Sequence, residues 1–281
     1  MSNISKILLN KITDEIVIDI LKKVIPTLEE IGVEYFIVGA FARDLGLTSK
    51  GFDDLAPRKT KDIDLAVMVG SNDEYESLKA KIATLPDFAP HEELPYRFIF
   101  KGAYEIDFLP YGKIYNEKDE VELKAEETLI LKIPGFQEIA PFTKSVITEE
   151  GLELRFSSLP GVVLLKLFAW EDRPEREKDI EDIDYIIRNF YLLHVEEIIE
   201  EDDILEICQE EKYFDEAVSA RFIGRKIAKI IEDSPNLKKR IEAFLQKQLE
   251  GYEMAKHMSY PTLEESQQII NMLYNGILDV Q

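Results

Sequence analysis

Apolar residues recur at four-residue spacing through Ile16, Ile20, Val24 and Leu28, which predicts an amphipathic helix over residues 14–31. Gly32 follows, where a helix end favours a left-handed residue. Glu34–Val38 reads as a strand, and a helix is expected from Gly39 through Leu47. A polar stretch with Gly51 and Pro57 forms the next loop. Asp62–Val69 is apolar on both faces after its first residues, the signature of a central strand. Residues 72–84 read as a helix. Arg97–Lys101 and Tyr104–Leu109 read as a hairpin around Gly102-Ala103, and residues 152–156 as one more strand. From Leu159 the period changes to that of helices. They are expected over Leu159–Arg173, Arg176–Phe190, about 195–210, Tyr213–Asp233, Leu237–Glu250 and Thr262–Ile277. The expected class is α+β, a mixed sheet with helices over residues 1–157, followed by an all-α bundle over 158–281.

Composition narrows the partners. The 281 residues carry 34 Lys+Arg against 56 Asp+Glu, a formal net charge of −22. Such a surface argues against coating duplex DNA or an anionic membrane by bulk electrostatics. The charge is uneven: Glu171–Glu210 holds 16 acidic and 4 basic residues, whereas Phe41–Lys61 holds five basic and three acidic. A single cysteine, Cys208, excludes an intramolecular disulfide and a cysteine-rich zinc site; it reads as an inert buried thiol. His91, His194 and His257 lack metal-ligand spacing. No apolar run approaches the ~20 residues that span a bilayer, and no signal peptide is evident, so a cytoplasmic location is expected.

Three features carry candidate chemistry. Asp62 and Asp64 lie at i and i+2 on a strand and so share a face. Paired carboxylates repel, and hard oxygen donors are compensated by Mg²⁺ or Mn²⁺. Alone, such a pair is more often two surface aspartates at a strand edge. Gly39-Ala40 joins a strand to a helix, where free N–H groups and the helix dipole suit phosphates. Next to it, Arg43 either reaches phosphate or forms a local ion pair with Asp44. The loop before Asp62 adds Lys50, Arg58, Lys59 and Lys61. Asp107 sits in an aromatic, apolar strand and is a candidate third metal ligand and proton acceptor; Glu105, on the same face, is its rival. In the helical half, Lys166 is a lone cation in an apolar run, and Asp179 falls on the packed side of the next helix. They read as a buried ion pair, a nucleotide-phosphate contact, or both. Trp170 reads as packing, or as a platform for a base.

Taken together, the Gly turn, the Asp62-Ile63-Asp64 strand and the later Asp107 strand resemble the order found in polymerase-β-like nucleotidyltransferases. VGAFARDLGL…RKTKDIDLAV is similar to the GG-x-x-RD…D-x-D pattern of poly(A) and CCA-adding enzymes. The nearer resemblance is to the AbiEii/AbiGii-type nucleotidyltransferases, the toxins of some abortive-infection and toxin–antitoxin pairs. Arg58-Lys59-Thr60-Lys61-Asp62-Ile63-Asp64 fits their R-x-[ST]-x-D-[IV]-D block. Leu164–Trp170, Arg173 and Lys178-Asp179-Ile180-Glu181-Asp182 form a second family-like block. The resemblance spans residues 34–190 and extends weakly to Arg221–Ile231. It departs at Gly39-Ala40, where many such enzymes have Gly-Ser or Gly-Gly; alanine keeps the backbone N–H and lacks the hydroxyl.

The resemblance implies a palm-like catalytic fold and transfer of a nucleoside monophosphate from an NTP to an acceptor hydroxyl. Asp62, Asp64 and Asp107 would hold the metals. Gly39, Ala40, Arg43, Arg58, Lys166 and Asp179 would bind or position the nucleotide. RNA, tRNA among it, or protein would be the acceptor, and a cognate antitoxin a partner. A silent nucleotide- or partner-binding module and a γ-phosphotransferase are the rival classes.

Overall fold

The computed structural model describes residues 6–49, 61–117, 119–124, 128–201 and 203–280. The chain divides into two compact units, residues 1–158 and 159–281.

The first unit is built on one eight-stranded mixed sheet. Strands β1 (Lys6–Ile7), β2 (Tyr35–Val38), β3 (Ile63–Met68), β4 (Phe88–Pro90), β5 (Arg97–Phe100), β6 (Tyr104–Tyr111), β9 (Lys144–Thr148) and β10 (Glu153–Phe156) run in the order β1-β9-β10-β2-β3-β6-β5-β4. A separate hairpin pairs β7 (Glu120–Leu123) with β8 (Leu129–Lys132). Helices α1 (Leu9–Ile12), α2 (Glu15–Glu30), α3 (Gly39–Thr48), α4 (Asn72–Ala83) and α5 (Phe136–Ile139) complete the unit.

The apolar pattern explains the placement of the strands. Leu65, Ala66 and Val67 of β3 are fully buried on both faces, which only an interior strand achieves. β3 runs antiparallel to β2 and parallel to β6. Ile106 and Phe108 of β6 are equally buried, and Tyr75 of α4 donates its hydroxyl to the Phe108 carbonyl at 2.6 Å. Helix α2 starts on Asp14, whose side chain accepts the Val17 N–H. It ends on Gly32, at φ +69°, with Val33 N–H bonded to Leu28 O and Gly32 N–H to Glu29 O. This is a Schellman end, which needs the left-handed residue that glycine supplies.

The second unit is helical: α6 (Leu159–Asp172), α7 (Glu177–Ile199), α8 (Ile204–Cys208), α9 (Phe214–Ile230), α10 (Pro235–Gly251) and α11 (Leu263–Asp279). The break expected after Phe190 is a kink inside α7. His194 has non-helical angles (φ −127°, ψ 18°) and stacks on Phe190 with ring centroids 4.0 Å apart. α9 and α11 approach through Gly224 and Gly276. A Cβ on Gly276 would lie 2.1 Å from the Arg221 carbonyl oxygen, and one on Gly224 2.3 Å from that of Leu273. Among the described residues no helix is long and apolar enough to cross a membrane.

Candidate active site

Strand β2 ends in extended backbone at Val38, and Gly39 turns the chain at φ +68° into α3. Gly39 and Ala40, at the first turn of the helix, are half-exposed while Phe41–Thr48 are buried. The N–H groups of that turn carry the positive end of the helix dipole. Register places Asp64 directly across from Val38. Its carboxylate packs over Gly39: a Cβ there would stand 2.2 Å from Asp64 Oδ2. Glycine is thus required twice, for its positive φ and for the close approach of an acid. Asp62 is exposed and lies two residues earlier, on the Asp64 side of the strand.

Asp107 is in register with Asp64 on the neighbouring parallel strand. It is only 7% exposed. Directly opposite on its other side, on antiparallel β5, stands Arg97. The guanidinium takes both carboxylate oxygens, Nε to Oδ1 at 2.7 Å and Nη2 to Oδ2 at 2.9 Å, and its Nη1 also contacts Glu105. Burial lifts the Asp107 carboxyl above its ordinary value of 3.8, aided by the charges of Glu105 and Asp62, while Arg97 pulls it down. The hydrogen bonds to Asp107 raise Arg97 in turn, so it stays charged. Asp62, Asp64, Glu105 and Asp107 therefore share one face at one end of β3 and β6, with Arg97 beside them.

The remaining expected residues have separate settings. Arg43 is 5% exposed, and its Nε and Nη2 donate to Asp44 Oδ1 at 2.8 and 2.6 Å. The local ion pair with Asp44 is formed. Arg58 lies outside the described residues, as do Lys50 and Lys59; Lys61 is exposed. In the second unit, Lys166 Nζ contacts Asp179 Oδ1 at 3.0 Å and Asp182 Oδ2 at 2.6 Å. Arg176 Nε reaches Asp179 Oδ2 at 3.0 Å. The buried ion pair read from Lys166 and Asp179 is formed, with Asp182 as a second anion. Trp170 packs edge-on against Phe244 and His257. Cys208 is buried, its thiol pushed up to about 11.

The sequence matches the family described as "Nucleotidyl transferase AbiEii toxin, Type IV TA system" over residues 47–264, most of the chain. The chain belongs to the AbiEii family. It is a nucleotidyltransferase of the kind that serves as the toxin of a toxin–antitoxin pair. No curated protein matches it. Among solved structures it is similar to ANT(2″)-Ia in complex with adenylyl-2″-tobramycin, at 18% identity and TM-score 0.36, over 60% of this chain and 86% of that one. A solution structure of ANT(2″)-Ia, an antibiotic-resistance factor, matches at 16% and 0.39, over 71% and 100%. A CCA-adding enzyme in complex with CTP matches at 13% and 0.33, over 97% and 83%.

In this AbiEii-family chain the sequence gives Arg97 no candidate role, and it brings in Asp182 only as part of the second family-like block. Arg97 opens a strand whose alternation already put it on the face of Asp107, but no motif marks it. Asp182 lies three residues after Asp179, one helical turn on. The donor chemistry of Asp62, Asp64 and Asp107 fits a hard divalent cation: carboxylate oxygens from adjacent strands, beside a glycine that leaves room for one of them. Among the described residues no three carboxylates converge tightly enough to hold a metal as they stand, and both Asp107 oxygens face Arg97.

Proposed function

We propose that the chain transfers a nucleoside monophosphate from an NTP to an acceptor hydroxyl and releases pyrophosphate, with residues 1–157 as the catalytic domain and 158–281 as its helical companion. The observation that carries this reading is the packing of Asp64 on Gly39, with Asp107 in register beside it. It supports the reading because the start of α3 and the carboxylates of Asp64 and Asp107 then stand at one corner.

The Gly39 and Ala40 N–H groups donate to phosphate oxygens, and the α3 dipole favours that charge. Alanine at position 40 confines this recognition to the backbone. Asp62, Asp64 and Asp107 would hold Mg²⁺ or Mn²⁺, which supplies charge neutralisation at the triphosphate when bound. Asp107 accepts the acceptor hydroxyl's proton as the new oxygen–phosphorus bond forms and the bond to pyrophosphate breaks. Arg58, from the family-like block before Asp62, positions the triphosphate. Rate enhancement rests on alignment and preorganised charge. The acceptor is an RNA or a protein in the cytoplasm, and an antitoxin opposes the effect.

Incubation with Mg²⁺ and NTP labelled at the α or γ position tests this. Transfer of the α label, lost in Asp64→Asn, is the expected result. Transfer of the γ label would make the chain a phosphotransferase, and binding without turnover a silent module.

A further inference from the structure

Arg97 sits where a cation is wanted and where no motif of the sequence puts one. Its fork covers both oxygens of Asp107, in the bidentate geometry that makes Arg–carboxylate pairs strong and directional. Those oxygens are the ones by which Asp107 would hold a divalent cation, so guanidinium and metal would compete for one carboxylate. The same guanidinium already touches Glu105, two residues along β6 and on the same face. The Arg97 side chain is 23% exposed and that of Glu105 40%, against 10% for Asp107. Arg97 thus has a second anion within reach, on the wetter side of its present position, and can move to it without being left unpaired.

We propose that Arg97 is a positioning residue with two stations: on Asp107 it stands in for the metal, and on Glu105 it releases Asp107 to the metal. This deepens the proposed reaction and rests on Asp107 being a metal ligand. While on Asp107, Arg97 keeps a buried acid compensated and aligned, and it sets a threshold against metal entering without its nucleotide. An Asp107 that only braces the sheet would have no such threshold.

The test is Mn²⁺ binding to the full-length, nucleotide-free protein, read from the electron paramagnetic resonance signal of free Mn²⁺, with a thermal melt on each variant. Arg97→Met removes the competitor and should tighten Mn²⁺ about tenfold. Arg97→Lys, which cannot make the fork, should tighten it less. Glu105→Gln removes the second station and should weaken Mn²⁺ severalfold with little change in melting temperature. Mn²⁺ should also raise the melting temperature of Arg97→Met more than that of the parent. Unchanged or weaker Mn²⁺ binding in Arg97→Met overturns the proposal. If that variant does not fold, unchanged or weaker binding in Arg97→Lys overturns it. Asp64→Asn separates the two layers. Should it leave Mn²⁺ binding intact, the metal assignment itself is wrong, whatever Arg97 does.

Discussion

Gly39→Ala is the sharpest probe of the site, because one methyl group meets two separate obstacles. The backbone at Gly39 has φ +68°, a conformation that costs an L-residue about 1–2 kcal/mol. The added Cβ would also fall 2.2 Å from Asp64 Oδ2, more than an ångström inside ordinary contact. A side-chain oxygen can yield where a backbone atom cannot, so the protein should still fold, with the Asp64 carboxylate pushed aside by about an ångström. Misplacement on that scale costs about 100-fold in turnover. Gly32→Ala supplies the control, since Gly32 has φ +69° and nothing within 4 Å of its would-be Cβ. Both variants should lose about 2–8 °C in melting temperature. Only Gly39→Ala should lose pyrophosphate release from NTP by about 100-fold. Equal turnover in the two variants would refute the view that the Gly39–Asp64 contact sets the metal ligand.

Three further outcomes follow from other parts of the molecule. Lys166→Met leaves the buried Asp179 with Arg176 alone and takes the shared cation from half-buried Asp182, and should cost about 3 kcal/mol in urea unfolding; a loss under 1 kcal/mol would mean the cluster is already well hydrated. Gly276→Ala drives a Cβ to 2.1 Å from the Arg221 carbonyl, a backbone atom, and should destabilise the α9–α11 pair by more than about 3 kcal/mol; a thermal melt near that of the parent contradicts this. Asp184 is buried, and burial, seconded by Glu216, raises its carboxyl above 3.8 against the lowering effects of Ser259 and Arg188. The native state therefore holds this proton more tightly than the unfolded chain, and the associated stability is full below pH 3.8 and lost as pH rises through the raised value. Asp184→Asn should flatten that stretch of the stability–pH curve, and an unaltered slope counts against the assignment.

How far the site could be read from the sequence depends on the range of the interactions involved. Alternation alone puts Asp62 and Asp64 on one face, and the glycine before a helical run marks the strand–helix turn at Gly39-Ala40; both depend on neighbours in sequence. The β3–β6 pairing that sets Asp107 beside Asp64 joins residues far apart in the chain, and only the common order of the strands hinted at it. The short elements β1, β4, β7, β8 and β9 were missed for a related reason. They have two to five residues, and β1, paired with β9 alone, depends on a neighbour far along the chain. Arg43 shows the converse. The sequence offers it as a phosphate ligand or as the partner of Asp44, and two of its donors go to Asp44.

Arg97 marks the point where sequence reasoning runs out for a physical reason. A carboxylate in an apolar strand needs a cation, and the sequence states that need at Asp107 without naming what meets it. A metal and a guanidinium answer it with the same charge, and only the antiparallel register of β5 on β6 brings the second candidate opposite the acid. The same register places Glu105 across from Ile99, where no basic residue faces it directly, so its contact with Arg97 is diagonal. One cation between a buried acid and a wetter one is an arrangement that a divalent ion can shift. That is why the affinity of the nucleotide-free protein for Mn²⁺, rather than its turnover alone, tells whether Arg97 braces the sheet or controls access to the site.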